Sequence, residues 1–280
     1  MKGLVMEGGA MRGMFTAGVI DVFLENGIEF GGAIGVSAGA TFGCNFKSRQ
    51  KGRALRYNKK YMGDKRYCSF SSLIKTGDIF NADFCYNVLP NELDLYDYEA
   101  FKNNPMKFYV VATDCISGEP VYYELKDCRG KEMDLMRASA SMPLCSNVVE
   151  ADGRILLDGG MADSIPLRAF EKMGYDRNVV ILTQPRNYVK KPNKMFFLMK
   201  LFLRKYKGLL AAMKNRHVMY NEETKYVFDR ADKGEVIVLA PEKSLGIGRL
   251  EKDPDELERC YNEGRKCAEA RLDEIKEFLK

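Results

Sequence analysis

A single serine lies between two glycines in residues 35–39, which read Gly-Val-Ser-Ala-Gly. An apolar run precedes Ser37 and small residues follow it, so the pattern predicts a strand, a sharp turn and a helix. On such a turn Gly35 and Gly39 allow close backbone approach, and the serine hydroxyl projects above the edge of a sheet. The N-terminus of the following helix directs N–H dipoles toward developing negative charge. A nucleophilic serine is one interpretation; a turn that only packs a helix on a strand is the other.

A serine hydroxyl is a poor nucleophile until a base takes its proton. The chain has one histidine, His217, and it follows Ser37 and Asp158 in the order seen in α/β-hydrolases. Two observations count against this base. Ser37 follows what reads as only the second strand, and the neighbours of His217 include Lys214 and Arg216, which disfavour its protonation. An esterase with His217 as base therefore stays an alternative.

Asp158 is the carboxylate best placed to take the proton. It follows the apolar residues 155–157 and precedes Gly159 and Gly160, so we expect it at the end of a strand. Active groups converge at the carboxyl edge of a parallel sheet. An ordinary aspartate has a pKa of about 3.9 and is a weak base for a hydroxyl, so this role requires an apolar setting and a strong oxyanion site. Capping of the glycine turn is the alternative role.

A glycine-rich loop between the first predicted strand and the first predicted helix is the candidate oxyanion site. Backbone N–H groups in such a loop can face an anion. The loop residues that we assign to this site are Gly8, Gly9, Ala10, Arg12 and Gly13. A nucleotide-phosphate loop is the rival interpretation, but the spacing fits neither G-x-G-x-x-G nor G-x-x-x-x-G-K-[ST].

The elements around these motifs predict an α/β fold with a parallel sheet and helices on its faces. Residues 107–113 and 119–125 predict a hairpin, and residues 48–106 read as helices and loops outside the sheet. Further strands are expected at 4–6, 31–36, 154–157, 178–183 and 235–239, and helices at 14–25, 38–47, 133–141 and about 254–280. The apolar stripe of the last helix predicts a core-facing helix. No boundary or repeat divides the chain, so we expect a single domain over residues 1–280.

One segment holds much of the positive charge. The chain has a net charge of +5, yet residues 186–217 contain ten Lys and Arg and no Asp or Glu, leaving 34 basic and 39 acidic residues elsewhere. Residues 194–210 mix these cations with Phe, Leu and Met, and a basic amphipathic helix can lie on an anionic bilayer. We expect a lid or membrane-contact element over Ser37. A core helix with solvated lysines is the alternative, and nucleic-acid binding has no accompanying motif.

Composition excludes several other classes. No apolar run reaches the roughly 18 residues of a membrane-spanning helix, and the start of the chain does not read as a signal peptide. We expect a cytoplasmic protein that can contact the inner membrane surface. Eight cysteines form no C-x-x-C pair, so we expect reduced thiols rather than a zinc site or disulfides.

Together the motifs resemble those of the patatin-like lipid acyl hydrolases. That family combines a D-G-G-G-x-R-G loop, an early G-x-S-x-G serine and a later D-G-[GA]. The corresponding residues are 7–13 (EGGAMRG), 35–39 (GVSAG) and 158–160 (DGG), and residues 138–143 (ASASMP) are similar to the family's A-S-x-A-x-P segment. The resemblance covers about residues 3–185.

The resemblance implies a three-layer α/β/α sandwich and a serine–aspartate dyad without histidine. Ser37 would attack the ester carbonyl of a phospholipid or other acyl lipid, and Asp158 would take its proton and return it to the leaving alcohol. The loop N–H groups would hold the oxyanion, and Arg12 would steady the loop or lie near a substrate phosphate. No metal or organic cofactor is implied.

Two residues depart from the family pattern. Ala10 stands where the family usually has glycine, and its methyl group restricts the backbone angles. Ser164 stands where an asparagine is common. Either departure would narrow the substrate range. The alternative to an enzyme is a lipid-binding protein that has the same fold but no catalytic activity.

Overall fold

A computed structural model describes residues 1–280 and contains one eight-stranded sheet. Its strands are β1 (Lys2–Met6), β2 (Gly32–Val36), β3 (Lys107–Asp114), β4 (Pro120–Leu125), β5 (Val149–Ala151), β6 (Arg154–Asp158), β7 (Arg177–Ile181) and β8 (Val236–Leu239). The hydrogen-bonded order is β5-β6-β3-β2-β1-β7-β8, with β4 also on β3. Strands β8, β7, β1, β2 and β3 are parallel to one another, so the sheet is mostly parallel, as predicted.

Helices cover both faces of the sheet. They are α1 (Met14–Glu25), α2 (Ala38–Lys47), α3 (Arg53–Tyr61), α4 (Phe70–Thr76), a π-helix (Phe84–Leu93), α5 (Tyr98–Asn103), α6 (Lys131–Ala140), α7 (Leu167–Lys172), α8 (Phe196–Phe202), α9 (Lys207–Asp232), α10 (Pro254–Ala270) and α11 (Leu272–Phe278). Successive strand residues point to opposite faces. Leu4 and Met6 therefore join the larger apolar core, and Val5 joins a second core with Phe170 and Tyr220. This is the expected α/β/α sandwich.

Strand β6 runs opposite to the expectation. It is antiparallel to β3, so the assumption that Asp158 ends a parallel strand is wrong. Strand β4 occupies one side of β3 over residues 108–113, so β6 pairs on the other side, which is the side of β2. Strands β2 and β6 therefore meet head-on along β3. Their last residues, Val36 and Asp158, pair with the consecutive β3 residues Val111 and Ala112.

The C-terminal helix is present but interrupted. The Asp253 carboxylate caps its start by accepting the Asp255 N–H at 2.9 Å, and the helix breaks at Arg271. Its predicted stripe does face the core, where α10 crosses α1. A Cβ added to Gly18 would lie 2.0 Å from a backbone oxygen of α10, and one added to Gly264 would lie 2.0 Å from a backbone oxygen of α1. This close crossing requires glycine on both helices.

The basic segment forms two different structures. Helix α8 exposes Phe197, Leu201 and Phe202, which are 82%, 59% and 64% accessible. The residues after it turn inward, since Leu203 and Tyr206 are buried in a small apolar cluster with Cys115, Leu157 and Met161. The 26-residue helix α9 follows and was not predicted. No helix of the chain has the length and apolar character needed to cross a bilayer.

Candidate active site

Ser37 lies on a strained turn between β2 and α2. Its φ is +55° and its ψ is −121°, a backbone conformation that costs a non-glycine residue about 1–3 kcal/mol. The Ser37 N–H donates to Ser139 Oγ at 3.1 Å, and the Ser37 carbonyl accepts the N–H of Thr41 at 3.0 Å. A Cβ on Gly39 would lie 2.3 Å from the Met6 carbonyl oxygen, so glycine is required there.

Asp158 is buried at the end of β6 and is held by three neighbours. Its Oδ1 accepts the Gly160 N–H at 2.8 Å, and its carbonyl accepts the Thr113 hydroxyl at 2.9 Å. The Asp158 N–H donates to the Ser141 carbonyl at 2.8 Å. The segment with Ser139 and Ser141 therefore holds the backbone of both Ser37 and Asp158.

Burial raises the pKa of the Asp158 carboxyl, while the Ser37 hydroxyl and the positive charge of Arg216 lower it. Burial dominates, so Asp158 is a stronger base than an exposed aspartate. No short, well-aligned hydrogen bond joins Ser37 Oγ to the carboxylate; such bonds are often long in unliganded enzymes and tighten when substrate binds. Burial therefore gives Asp158 a basicity above that of an exposed aspartate, although its neighbours in the cleft are polar.

His217 lies on α9 and lines the same cleft as Ser37. The backbone and side-chain hydrogen bonds of Ser37 and Asp158 go to other residues, and none reaches His217. The structure therefore brings His217 into the neighbourhood of Ser37 without joining it to either residue of the pair.

The glycine loop packs directly against Ser37. A Cβ on Gly8 would lie 2.9 Å from Ser37 Cβ and 2.9 Å from the Val36 carbonyl oxygen. The N–H groups of Gly8 and Gly9 donate no hydrogen bond within the chain, and both residues line the cleft. They are free to bind an anion beside Ser37. Ala10 adopts a φ of +50°, a left-handed conformation that its methyl group disfavours.

The Glu7 carboxylate, at the start of the glycine loop, is held by hydrogen bonds to two residues from other parts of the chain. Its Oε2 accepts the Thr183 N–H at 2.6 Å and the Thr183 hydroxyl at 3.2 Å, and its Oε1 accepts the Tyr220 hydroxyl at 2.7 Å. Burial raises the pKa of the Glu7 carboxyl, although these hydrogen bonds and the nearby Arg12 and Lys190 oppose the shift. The sequence did not single out Thr183 or Tyr220, because neither belongs to a local motif.

Two cavities meet at Ser37. One is a cavity of about 130 Å³, lined mainly by apolar side chains such as Phe42, Leu89 and Met136. The other is a polar cleft of about 500 Å³. Ala10 and Met142 also border both cavities. A ligand bound at Ser37 can therefore extend an apolar chain to one side and a polar group to the other.

Six Lys and Arg residues line the polar cleft: Arg12, Lys190, Lys191, Lys194, Arg216 and Arg249. Arg216 lies against the D-G-G turn, where its Nε donates to the Gly160 carbonyl. The sequence pattern assigned Lys190 and Arg216 to a lid or membrane-contact segment. It gave no role to Arg249, which lies in a loop outside any motif. These cations belong to different elements of the chain, so only the tertiary structure shows that they lie around one cleft.

The site has no grouping of metal-ligating side chains. Nowhere in the chain do three or more His, Cys, Asp or Glu residues cluster as metal ligands would. All eight cysteines are unpaired thiols.

Comparison with known proteins identifies relatives over most of the chain. The family model described as patatin-like phospholipase matches residues 4–171, and a domain of unknown function, DUF6363, matches residues 206–280. Uncharacterized protein YjjU of Escherichia coli K12 is 26% identical over 270 residues, covering 94% of this chain and 75% of its own length. Uncharacterized NTE family protein Rv1063c of Mycobacterium tuberculosis is 26% identical over 178 residues, covering 64% of this chain and 48% of its own length.

Among solved structures, VipD from Legionella pneumophila matches with a TM-score of 0.48 and 12% identity. The match covers 98% of this chain and 67% of VipD. The chain thus spans about half the length of the mycobacterial relative and two thirds of VipD.

Proposed function

The chain belongs to the patatin-like phospholipase family, and on this premise we propose that it is a serine acyl hydrolase acting on phospholipids or other acyl esters. Family membership supports lipid hydrolase activity in general. The observation that carries the finer proposal is the buried Ser37–Asp158 pair at the meeting point of an apolar cavity and a polar cleft.

In the first step Ser37 Oγ attacks the ester carbonyl carbon, and its proton passes to the Asp158 carboxylate. The carbonyl oxygen becomes an oxyanion beside the free N–H groups of Gly8 and Gly9. Loss of one such donor costs about 2.7–4 kcal/mol in other hydrolases. Each donor of the glycine loop therefore makes its own contribution to the rate.

In the second step the Asp158 carboxylic acid returns the proton to the leaving alcohol oxygen as the C–O bond breaks. An acyl group remains on Ser37. Water then attacks this ester, Asp158 takes the water proton, and the proton returns to Ser37 Oγ as the fatty acid leaves. The raised pKa of Asp158 supports its roles as general base and general acid. A carboxylate with a higher pKa takes the serine proton more readily, and the resulting carboxylic acid keeps that proton until it is transferred to the leaving alcohol.

The test is covalent labelling and turnover of four proteins: wild type, Ser37→Ala, Asp158→Asn and His217→Ala. Each is assayed on a short p-nitrophenyl acyl ester, a fluorogenic phospholipid and a fluorophosphonate probe. We expect Ser37→Ala and Asp158→Asn to lose turnover and His217→Ala to keep it. If Ser37→Ala and His217→Ala lose turnover and Asp158→Asn keeps it, the result would instead favour a histidine base. A wild type with neither turnover nor labelling would favour a silent lipid-binding protein.

We also propose that α8 contacts an anionic lipid surface beside the active site. The support is the exposure of Phe197, Leu201 and Phe202 together with nearby cations, since apolar side chains insert while cations approach lipid phosphates. Each cation adds about 1 kcal/mol near such a surface. The buried residues from Leu203 onward would hold this element against the catalytic domain.

Co-sedimentation with phosphatidylglycerol vesicles tests the contact. A triple Lys/Arg-to-Glu variant with one position in α8 and two directly after it should lose binding, whereas a control with the same charge change at exposed positions outside residues 186–217 should keep it. The test positions are Lys200, Arg204 and Lys205, and the control positions are Lys233, Lys243 and Lys266. Equal binding by both variants would refute the contact.

The whole chain is proposed to act as one hydrolase domain. Strand β8 continues the sheet by pairing with β7, and α10 packs on α1, so the C-terminal part shares the core of the matched family region.

A further inference from the structure

We propose that the polar cleft beside Ser37 binds a phosphate monoester carried by the substrate, held by Lys190, Arg216 and Arg249 together with Arg12. The inference deepens the proposed function, on which it rests, by naming the head-group class. Its evidence is the convergence of unpaired cations on one side of Ser37.

The cations come from separate parts of the fold, and each is positioned by a contact of its own. The backbone of Lys190 is bonded to Asn221 at both its N–H (2.8 Å) and its carbonyl (3.1 Å). Its Nζ lies 4.0 Å from the centroid of the Tyr220 ring. The Arg249 carbonyl accepts the Met11 N–H of the glycine loop at 3.4 Å.

Arg216 lies closest to the reacting groups. Its Nη2 is 3.3 Å from the place that a Cβ on Gly160 would occupy, directly beside the Asp158 turn. Arg12 belongs to the glycine loop, and its buried Nε has no hydrogen-bond partner. An unpartnered buried donor is unusual, and a bound acceptor would satisfy it.

None of the four cations is paired with a carboxylate within 4.0 Å, although twenty-one ion pairs occur elsewhere in the chain. The two carboxylates in the cleft are Glu7 and Asp158. Glu7 accepts only from the neutral donors of Thr183 and Tyr220. Burial, and after it the charges of Arg216, Arg249 and Arg12, lower the pKa of Lys190 to about 7, and the charge of Glu7 opposes this shift. An anion in the cleft would relieve this repulsion.

A phosphate monoester fits this arrangement better than a zwitterionic or neutral head group. Arg12, Lys190 and Arg216 are partly buried without a paired carboxylate, which is costly, and a dianion offsets more of that cost than a phosphodiester with one charge. Guanidinium groups also match phosphate oxygens in geometry, whereas a lysine supplies a point charge. With the acyl chain in the apolar cavity and the ester at Ser37, the head group would enter this cleft.

Kinetics on two single-chain substrates with the same acyl group test the inference. One is an acylglycerol phosphate and the other is the neutral acylglycerol. In Lys190→Gln and in Arg249→Gln we expect the ratio of kcat/KM for the phosphate substrate over the neutral one to fall about tenfold or more, as for loss of a charged hydrogen bond. The exposed Lys214→Gln should leave the ratio unchanged. An unchanged ratio in both cleft variants would overturn the inference.

Calorimetry separates the inference from the proposed function and from free phosphate as the ligand. Glycerol 3-phosphate and inorganic phosphate are titrated into Ser37→Ala, with and without Lys190→Gln. Tighter binding of glycerol 3-phosphate, weakened by Lys190→Gln, supports a head-group site even if no ester is hydrolysed. Binding of inorganic phosphate alone, or of neither, would overturn it. A wild type that hydrolyses both esters without charge preference leaves the hydrolase proposal intact and refutes only the head-group site.

Discussion

Ser37 donates its N–H to the hydroxyl of Ser139, a residue 102 positions later, at 3.1 Å. Both residues are buried. The strained turn of the candidate nucleophile is therefore fixed by a side chain from the segment that also accepts the Asp158 N–H.

Replacing Ser139 with alanine should weaken both stability and turnover. The Ser37 N–H would be left buried without an acceptor, which costs about 1–3 kcal/mol, and the turn would lose its restraint. Thermal unfolding and the rate of fluorophosphonate labelling measure the two effects. Ser141→Ala is the matched control, because the Ser141 hydroxyl bonds only to the Arg137 carbonyl of the preceding helix α6. The bond from the Asp158 N–H goes to the Ser141 main chain, which the substitution leaves in place. Equal losses in both variants would contradict the assigned role of Ser139.

A second prediction concerns the strain at Ser37. Its φ of +55° is unfavourable for any residue with a Cβ. Ser37→Gly should therefore be more stable than Ser37→Ala by about 1 kcal/mol, after the greater chain entropy of unfolded glycine is included. Both variants should be inactive. Denaturant unfolding compares them, and a glycine variant no more stable than the alanine variant would show that the turn is unstrained.

The pH dependence of turnover should report the Asp158 environment. Burial raises the pKa of Asp158, and the base must be ionised, so activity should rise with pH through a midpoint above the ordinary value of 3.8. Arg216 lowers this pKa, so Arg216→Gln should move the acid limb to higher pH and Arg216→Lys should move it less. The profile of kcat/KM on a neutral ester measures the shift. An acid limb that is the same in all three proteins would contradict the coupling.

A buried carboxyl pair predicts how stability depends on pH. Burial raises the pKa of both Glu223 and Asp163. The negative charge of Asp163 and a hydrogen bond to it raise the pKa of Glu223 further, whereas hydrogen bonds to Tyr122 and Glu223 lower the pKa of Asp163. Between the ordinary value of 4.5 and the folded-state pKa of Glu223, the folded protein binds a proton that the unfolded chain has released. Protonated Glu223 therefore makes its whole contribution to the free energy of unfolding at pH values below 4.5, its pKa in the unfolded chain. This contribution falls as the pH rises from 4.5 to the folded-state pKa of Glu223.

Glu223→Gln should remove this dependence. A glutamine amide can donate to Asp163 at any pH, and its oxygen can still accept from the N–H groups of Ser164 and Ile165, as Glu223 does at 3.2 and 3.1 Å. The variant should unfold at a higher temperature than wild type at about pH 8 and close to wild type at about pH 5. A variant less stable than wild type at about pH 8 would contradict a stability cost from the Glu223–Asp163 pair at that pH.

Elements with strong local signals were predictable. The predicted helix over 38–47 is α2, with the same bounds, because small residues follow a turn that starts a helix. The predicted hairpin is β3 and β4, joined through Gly118 at a φ of +81°. Elements set by their neighbours were missed. The three-residue strand β5 exists only by pairing with β6. The apolar stripe of α9 is too weak to separate this helix from the basic segment, which overlaps its first three turns.

By itself, the sequence determined the fold class and the identity of the candidate groups, namely Ser37, Asp158 and the glycine loop, because turns and strand ends are encoded by adjacent residues. Only the tertiary structure decided that β2 and β6 meet head-on along β3, and that Ser139 supports Ser37. It also decided that Lys190, Arg216 and Arg249 line one cleft. The reason is physical: strand direction and the convergence of charges depend on contacts between residues far apart in the chain, which no local pattern of side chains specifies.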